Sequence, residues 1–221
     1  MLIALCNQKG GVGKSTLAVH VSVFLHDHGF QVALLDCDKQ RSSSQWMAEV
    51  ESAVTVAFAD NPDDCMATGR DLIASHDVVI ADGPAGLDDV SRTLLLLARL
   101  ALFPVSPSVL DLRSVSQATN VLRYAQGING DLPEGAVVLN KMRSRGRVSN
   151  ELKANAPTLG IGIAQSTIRE LEAFRDAVKE GTVVSRMGPR AKRAASDMDA
   201  FCMELFAGLI AERKELEVAN G

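Results

Sequence analysis

A single tryptophan and a single tyrosine stand among 221 residues, too few for the stacking platforms on which single-stranded nucleic acid is usually held. The four cysteines, Cys6, Cys37, Cys65 and Cys202, lack CxxC or Cys/His ligand spacing, so neither a zinc site nor an iron–sulfur cluster is indicated. They read as small apolar residues of a reducing compartment. No apolar run approaches the ~20 residues of a membrane span, and no secretory leader precedes the first apolar segment. A soluble, cytoplasmic protein is the expectation.

What is present is a 47% hydrophobic chain, enough to bury one substantial α/β core, so residues 1–221 are expected to form a single domain. Short apolar runs alternate with amphipathic stretches along the whole chain, the pattern of a doubly wound, mostly parallel sheet with helices on both faces. Strands are predicted over 2–6, 31–36, 54–57, 78–82, 101–105, 136–140 and 160–164. Helices are predicted over 15–27, 43–51, 62–75, 88–99, 112–126, 149–154 and 168–180, with a last one after Pro189 running to about Leu216.

Between the first strand and the first helix lies Lys9-Gly10-Gly11-Val12-Gly13-Lys14-Ser15-Thr16. Closely spaced glycines let consecutive N–H groups turn inward at a helix N-terminus and form an anion nest. Such a loop binds polyphosphate: Lys14 reaches the β- and γ-phosphates, the Ser15 hydroxyl is a magnesium ligand, and Thr16 lies at the α-phosphate. The usual GxxxxGK[ST] pattern needs glycine at position 8, where this chain has Gln8. Its KGGVGKST wording, with the additional Lys9, resembles the deviant Walker A ATPases of the ParA/MinD family. The resemblance implies a P-loop NTPase fold, ATP and Mg2+ as cofactors, and a face-to-face homodimer in which Lys9 reaches the phosphates of the partner subunit.

Two further segments fit a nucleotide-hydrolysing site. Asp36-Cys37-Asp38-Lys39-Gln40 places two carboxylates at the carboxyl edge of the sheet, where doubly wound folds bind ligands. By resemblance Asp38 positions the attacking water and Asp36 acts through the water shell of magnesium; proline is usual in relatives where Lys39 stands here. Val78-Val79-Ile80-Ala81-Asp82, followed by Gly83-Pro84, has the form of a Walker B strand whose Asp82 helps hold magnesium. Val137-Val138-Leu139-Asn140 resembles the strand whose terminal asparagine reads the adenine edge, and the guanine-reading NKxD pattern is not completed because Arg143 occupies its last position.

Charge is unevenly spread: residues 1–140 carry nine basic against sixteen acidic side chains, residues 141–221 fourteen against eleven. Two acid-free clusters stand out, Lys141, Arg143, Arg145 and Arg147, and Arg186, Arg190, Lys192 and Arg193. Solvated surface is the ordinary account of such clusters; nonspecific contact with DNA phosphates is the other. Ser166-Thr167-Ile168-Arg169 and the residues after it resemble a late segment of partition ATPases, adding Arg169 to the DNA-binding candidates. The acidic tail, Glu212-Arg213-Lys214-Glu215-Leu216-Glu217, is unlike the basic membrane helix of MinD-like proteins. Because the chain starts at its first strand, it is expected to be of the short ParA type.

The expectation is therefore a ParA-like, magnesium-dependent ATPase for plasmid or chromosome partition, with slow, partner-stimulated hydrolysis. Its ATP-bound dimer binds DNA nonspecifically on the nucleoid and meets a ParB-like or other small adaptor protein, with no membrane contact. Two alternatives stand beside it: an organiser that positions a protein assembly or membrane-associated cargo with little DNA binding, and a P-loop ligase or kinase acting on a small molecule.

Overall fold

Leu2–Asn7 forms β1, buried along its whole length. Its side chains alternate between two cores: Ile3 and Leu5 join one, Leu2, Ala4 and Cys6 the other. A continuous apolar run of this length is what a parallel strand covered on both faces requires. The computed structural model describes residues 1–106, 112–143 and 161–220.

The remaining elements are α1 (Lys14–Asp27), β2 (Val32–Asp36), α2 (Ser42–Val50), β3 (Thr55–Phe58), α3 (Pro62–Ser75), β4 (Val78–Ala85), α4 (Asp89–Leu97), β5 (Leu100–Val105), α5 (Leu112–Asn129), β6 (Glu134–Met142), β7 (Gly162–Arg169), α6 (Ala173–Lys179), two 3-10 turns (Val184–Arg186 and Gly188–Ala191) and α7 (Lys192–Asn220). The strands pair in parallel, in the order β3-β2-β4-β1-β5-β6-β7. Residues of α1, α2, α6 and α7 cover one face, and residues of α3, α4 and α5 the other. The carboxyl ends of β1, β2, β4 and β6 thus open on one edge, which is where such sheets bind ligands.

Most expected elements fall within a few residues of their predicted bounds, and two need correction. The helix expected over 168–180 is preceded by strand: Ile168 and Arg169 end β7, Ile168 is buried in the core, and only Ala173–Lys179 is helical. Pairing of Thr167 with Leu139 and of Arg169 with Met142 outweighs the local helical pattern. The last helix begins at Lys192, after Pro189 has been used in the second 3-10 turn. The helix expected over 149–154, together with Arg145 and Arg147, lies outside the described residues. Among the described residues no helix is long and apolar enough to cross a membrane.

Candidate functional site

β1 delivers the chain into the glycine loop, and α1 begins at its end. Gly11 (φ 74°) and Gly13 (φ 95°) are left-handed, a conformation glycine adopts at little cost. Gly13 is the N-cap of α1, no side chain caps the helix start, and its first turn carries no acid. These N–H groups are left for an anion, which the helix dipole also favours. Lys14 is only 7% exposed within the loop, whereas Lys9 stands exposed outside it.

Three side chains brace the loop. Asn7, buried at the end of β1, accepts the Lys9 N–H at 2.8 Å and donates to the Pro104 carbonyl. Asn140, at the end of β6, donates from Nδ2 to the Val12 carbonyl at 2.8 Å and accepts the Lys141 N–H at 2.9 Å. Lys141, itself left-handed at φ 55°, donates from Nζ to the Gly11 carbonyl at 2.7 Å. With two consecutive carbonyls held outward, the intervening peptides are fixed. Asn7 and Lys141 were not among the expected site residues. Lys141 belongs to a basic cluster whose sequence offers solvated surface or DNA contact, while a strand-final asparagine before a glycine loop is a usable signal of an Asx-type turn.

The switch carboxylates come from β2 and β4. Asp36 is fully buried, accepting the Asp38 N–H at 3.0 Å and the Ser44 N–H at 2.9 Å, so it folds the loop that follows it and anchors the start of α2. Asp38 accepts the Gln40 N–H at 2.9 Å and is partly exposed. Asp82 is also fully buried, but neither of its carboxylate oxygens has a hydrogen-bond partner, and the neighbouring Ser43 hydroxyl has none either. Burial pushes the Asp82 carboxyl up to about 7; the Ser15 and Ser43 hydroxyls beside it pull the other way, and Asp36 adds to the rise. A buried carboxylate without a donor is relieved by taking up a proton or by a cation. Ser15 and Asp82, oxygen donors beside a phosphate loop, fit magnesium, which would neutralise phosphate charge there.

Next to Thr16 opens a cavity of about 130 Å³, walled by Asn140, Ile168, Leu171 and Phe174 among others. The phosphate loop, Asp36, Asp38, Asp82 and Asn140 therefore gather at one edge. The basic residues do not join them as free cations. Arg169 forms a two-pronged ion pair with Asp197, at 2.8 and 2.6 Å. Arg186 pairs with Asp27 and Glu51, and Arg190 with Glu180. Lys192 and Arg193 are exposed at the start of α7.

A glycine loop on a helix N-terminus, a buried unpartnered carboxylate on the neighbouring strand, and a parallel sheet of this order define a P-loop nucleotide-binding protein. Residues 3–218 match the model of the CobQ/CobB/MinD/ParA nucleotide binding domain, and the chain belongs to that family. It is 29% identical over 208 residues to maintenance of carboxysome distribution protein A of Halothiobacillus neapolitanus, covering 92% of this chain and 95% of that one. It is 27% identical over 220 residues to Protein ParA of Rhizobium radiobacter, covering 94% and 97%. Among solved structures it superposes on the ATP complex of a Cyanothece McdA variant with a TM-score of 0.74, at 16% identity, covering 92% and 95%. It also superposes on the Mg-ADP complex of septum site-determining protein MinD from Pyrococcus horikoshii with a TM-score of 0.69, at 16% identity, covering 95% and 98%.

Proposed function

We propose that this chain is a magnesium-dependent ATPase whose ATP-bound form closes into a face-to-face homodimer, with Lys9 of each copy reaching the phosphates held by the other. The carrying observation is the contrast between the two lysines of the loop: Lys14 is packed inside it, Lys9 stands outside with its backbone fixed by Asn7. An exposed amine on a fixed stem beside a phosphate seat is placed for a second molecule rather than for its own. The nucleobase lies in the cavity beside Thr16, with the remaining hydrogen-bonding capacity of Asn140 turned to adenine. Asp38, the partly exposed carboxylate of the switch loop, orients the attacking water.

Dimerisation is the switch that positions a cargo, with hydrolysis stimulated by a small adaptor protein and DNA as the nonspecific track. Lys192 and Arg193 at the start of α7 are the DNA-contacting pair; the internal ion pairs of Arg169, Arg186 and Arg190 argue that these three contribute less. A protein assembly as the cargo, in place of a plasmid or chromosome, is supported by the likeness to the carboxysome distribution protein.

Light scattering in Mg-ATP, with Asp38→Ala to slow turnover, tests the dimer. Adding Lys9→Ala should leave nucleotide binding intact and return the protein to monomers; persistent dimers would remove the assignment. DNA retention across a salt series tests the track: replacing Lys192 and Arg193 by alanine should flatten the salt dependence by about two phosphate contacts. An absence of retention in ATP at low salt would favour the reading without DNA.

A further inference from the structure

The two helices that touch the nucleotide site at their N-termini share one anchor at their C-termini. α1 starts on the phosphate loop and ends at Asp27; α2 starts where Asp36 holds the Ser44 N–H and ends at Val50. The guanidinium of Arg186 donates to the Val50 carbonyl at 3.0 Å, to Asp27 Oδ1 at 3.0 Å and to Glu51 Oε2 at 2.9 Å. One carbonyl left open at a helix end and two carboxylates at the negative poles of two helices make this a favourable seat for a cation. The segment that carries Arg186 is tied to the same helices at mid-length. Trp46 of α2 donates from Nε1 to the Thr182 carbonyl at 3.1 Å, and the Val184 N–H donates to Nε2 of His20 on α1 at 3.2 Å.

We infer that Arg186 is a positioning residue of the switch site: by clamping the far ends of α1 and α2 it fixes the switch carboxylates relative to the phosphate loop. This rests on the ATPase reading above. α2 has nine residues, about 13 Å of helix, so a rotation of about 5° about its far end moves its N-terminus, and the loop carrying Asp38, by about 1 Å. Displacements of that size lower turnover by roughly one to two orders of magnitude while leaving ground-state binding in place. The guanidinium divides the three oxygens between two nitrogens, Nη1 for the Val50 carbonyl and Nη2 for the two carboxylates, a spread that the single nitrogen of lysine does not reproduce.

The test measures basal ATP turnover, nucleotide affinity by a fluorescent ATP analogue, melting temperature, DNA retention, and emission of Trp46, the only tryptophan, in the full chain. Arg186→Ala is expected to lower kcat about tenfold with nucleotide affinity changed less than about twofold, and to shrink the Trp46 response to ATP. Glu51→Gln should move turnover and emission in the same direction, and Arg186→Lys should restore only part. If Arg186 is a DNA contact instead, Arg186→Ala removes retention without touching turnover or emission, and Glu51→Gln strengthens retention; that pattern overturns the inference. Should Arg186→Ala fail to fold, Glu51→Gln and Asp27→Asn decide, and wild-type turnover in both overturns it. A wild-type protein that binds no nucleotide or does not hydrolyse ATP would sink the ATPase reading itself, a failure visible before any variant is made.

Discussion

Asp36 and Asp82 are register partners on adjacent strands, yet one carboxylate accepts two backbone N–H groups and the other accepts none. Two buried anions side by side repel, and with both donors given to Asp36, Asp82 is the carboxylate that a cation would stabilise more. Asp82→Asn should therefore leave the unliganded protein at pH 8 at least as stable as wild type, and abolish most of the additional melting-temperature rise given by magnesium over nucleotide alone. Asp36→Ala should do the reverse, costing about 1–3 kcal/mol without any ligand because it orphans the Asp38 and Ser44 amides. Urea unfolding with and without Mg-ATP separates the two.

Gly13 is the least replaceable glycine of the loop. A Cβ on it would collide with Asn140 Nδ2, and its φ of 95° already disfavours a side chain. Gly13→Ala should raise the dissociation constant for a fluorescent ATP analogue by roughly a hundredfold or more, about 2.7 kcal/mol. Asn140→Ala, which frees the Val12 carbonyl and the Lys141 N–H without forcing a side chain into the loop, should cost about tenfold.

Stability should depend on pH through His20. The imidazole is 4% exposed, its Nδ1 lies 2.7 Å from the Thr16 carbonyl, and Nε2 accepts the Val184 N–H, so the proton sits on Nδ1 and the ring is neutral. Burial drives its pKa down to about 4, with the Thr16 carbonyl opposing. The unfolded chain, near 6.5, then binds a proton that the folded state refuses, so stability is complete above about pH 6.5 and is lost as pH falls toward 4. Between pH 7 and 5 wild type should lose about 2 kcal/mol more than His20→Asn, measured by denaturant unfolding at each pH.

Arg169 and Asp197 hold β7 to α7. The Asp197 side chain is 11% exposed and also accepts the Arg169 N–H at 3.1 Å. Arg169→Ala should destabilise by about 1–3 kcal/mol by leaving a nearly buried carboxylate without its cation. A loss of DNA retention at full stability would instead return Arg169 to the DNA-binding surface.

The chemistry of the site was legible because it lives in short stretches. Glycines at 10, 11 and 13 beside Lys14 and Ser15 have one efficient physical use, and strands ending at Asp36 and Asp82 place carboxylates on the edge where the loop opens. The division of labour between those carboxylates was not legible. It depends on which backbone amides the turn after β2 presents, and Ser44, eight residues from Asp36, gives no sign of its role in sequence. Asn140 kept its expected place, but its bond to Val12 spans residues far apart in the chain, as does that of Lys141 to Gly11.

The basic clusters mark the boundary most clearly. Composition could count Arg186 and Arg190 as cations near one another in the chain, and a family resemblance could add Arg169; neither could see Asp197, Asp27, Glu51 and Glu180 brought against them by folding. Local pattern fixed the parallel α/β sandwich and the phosphate loop, because hydrophobic period and glycine conformation act over a few residues. Which charges face solvent, which carboxylate is left without a hydrogen-bond donor, and which arginine grips two helices at once were settled only by tertiary packing, since electrostatic energy depends on distance in space and on access to water, and neither is written in the order of residues.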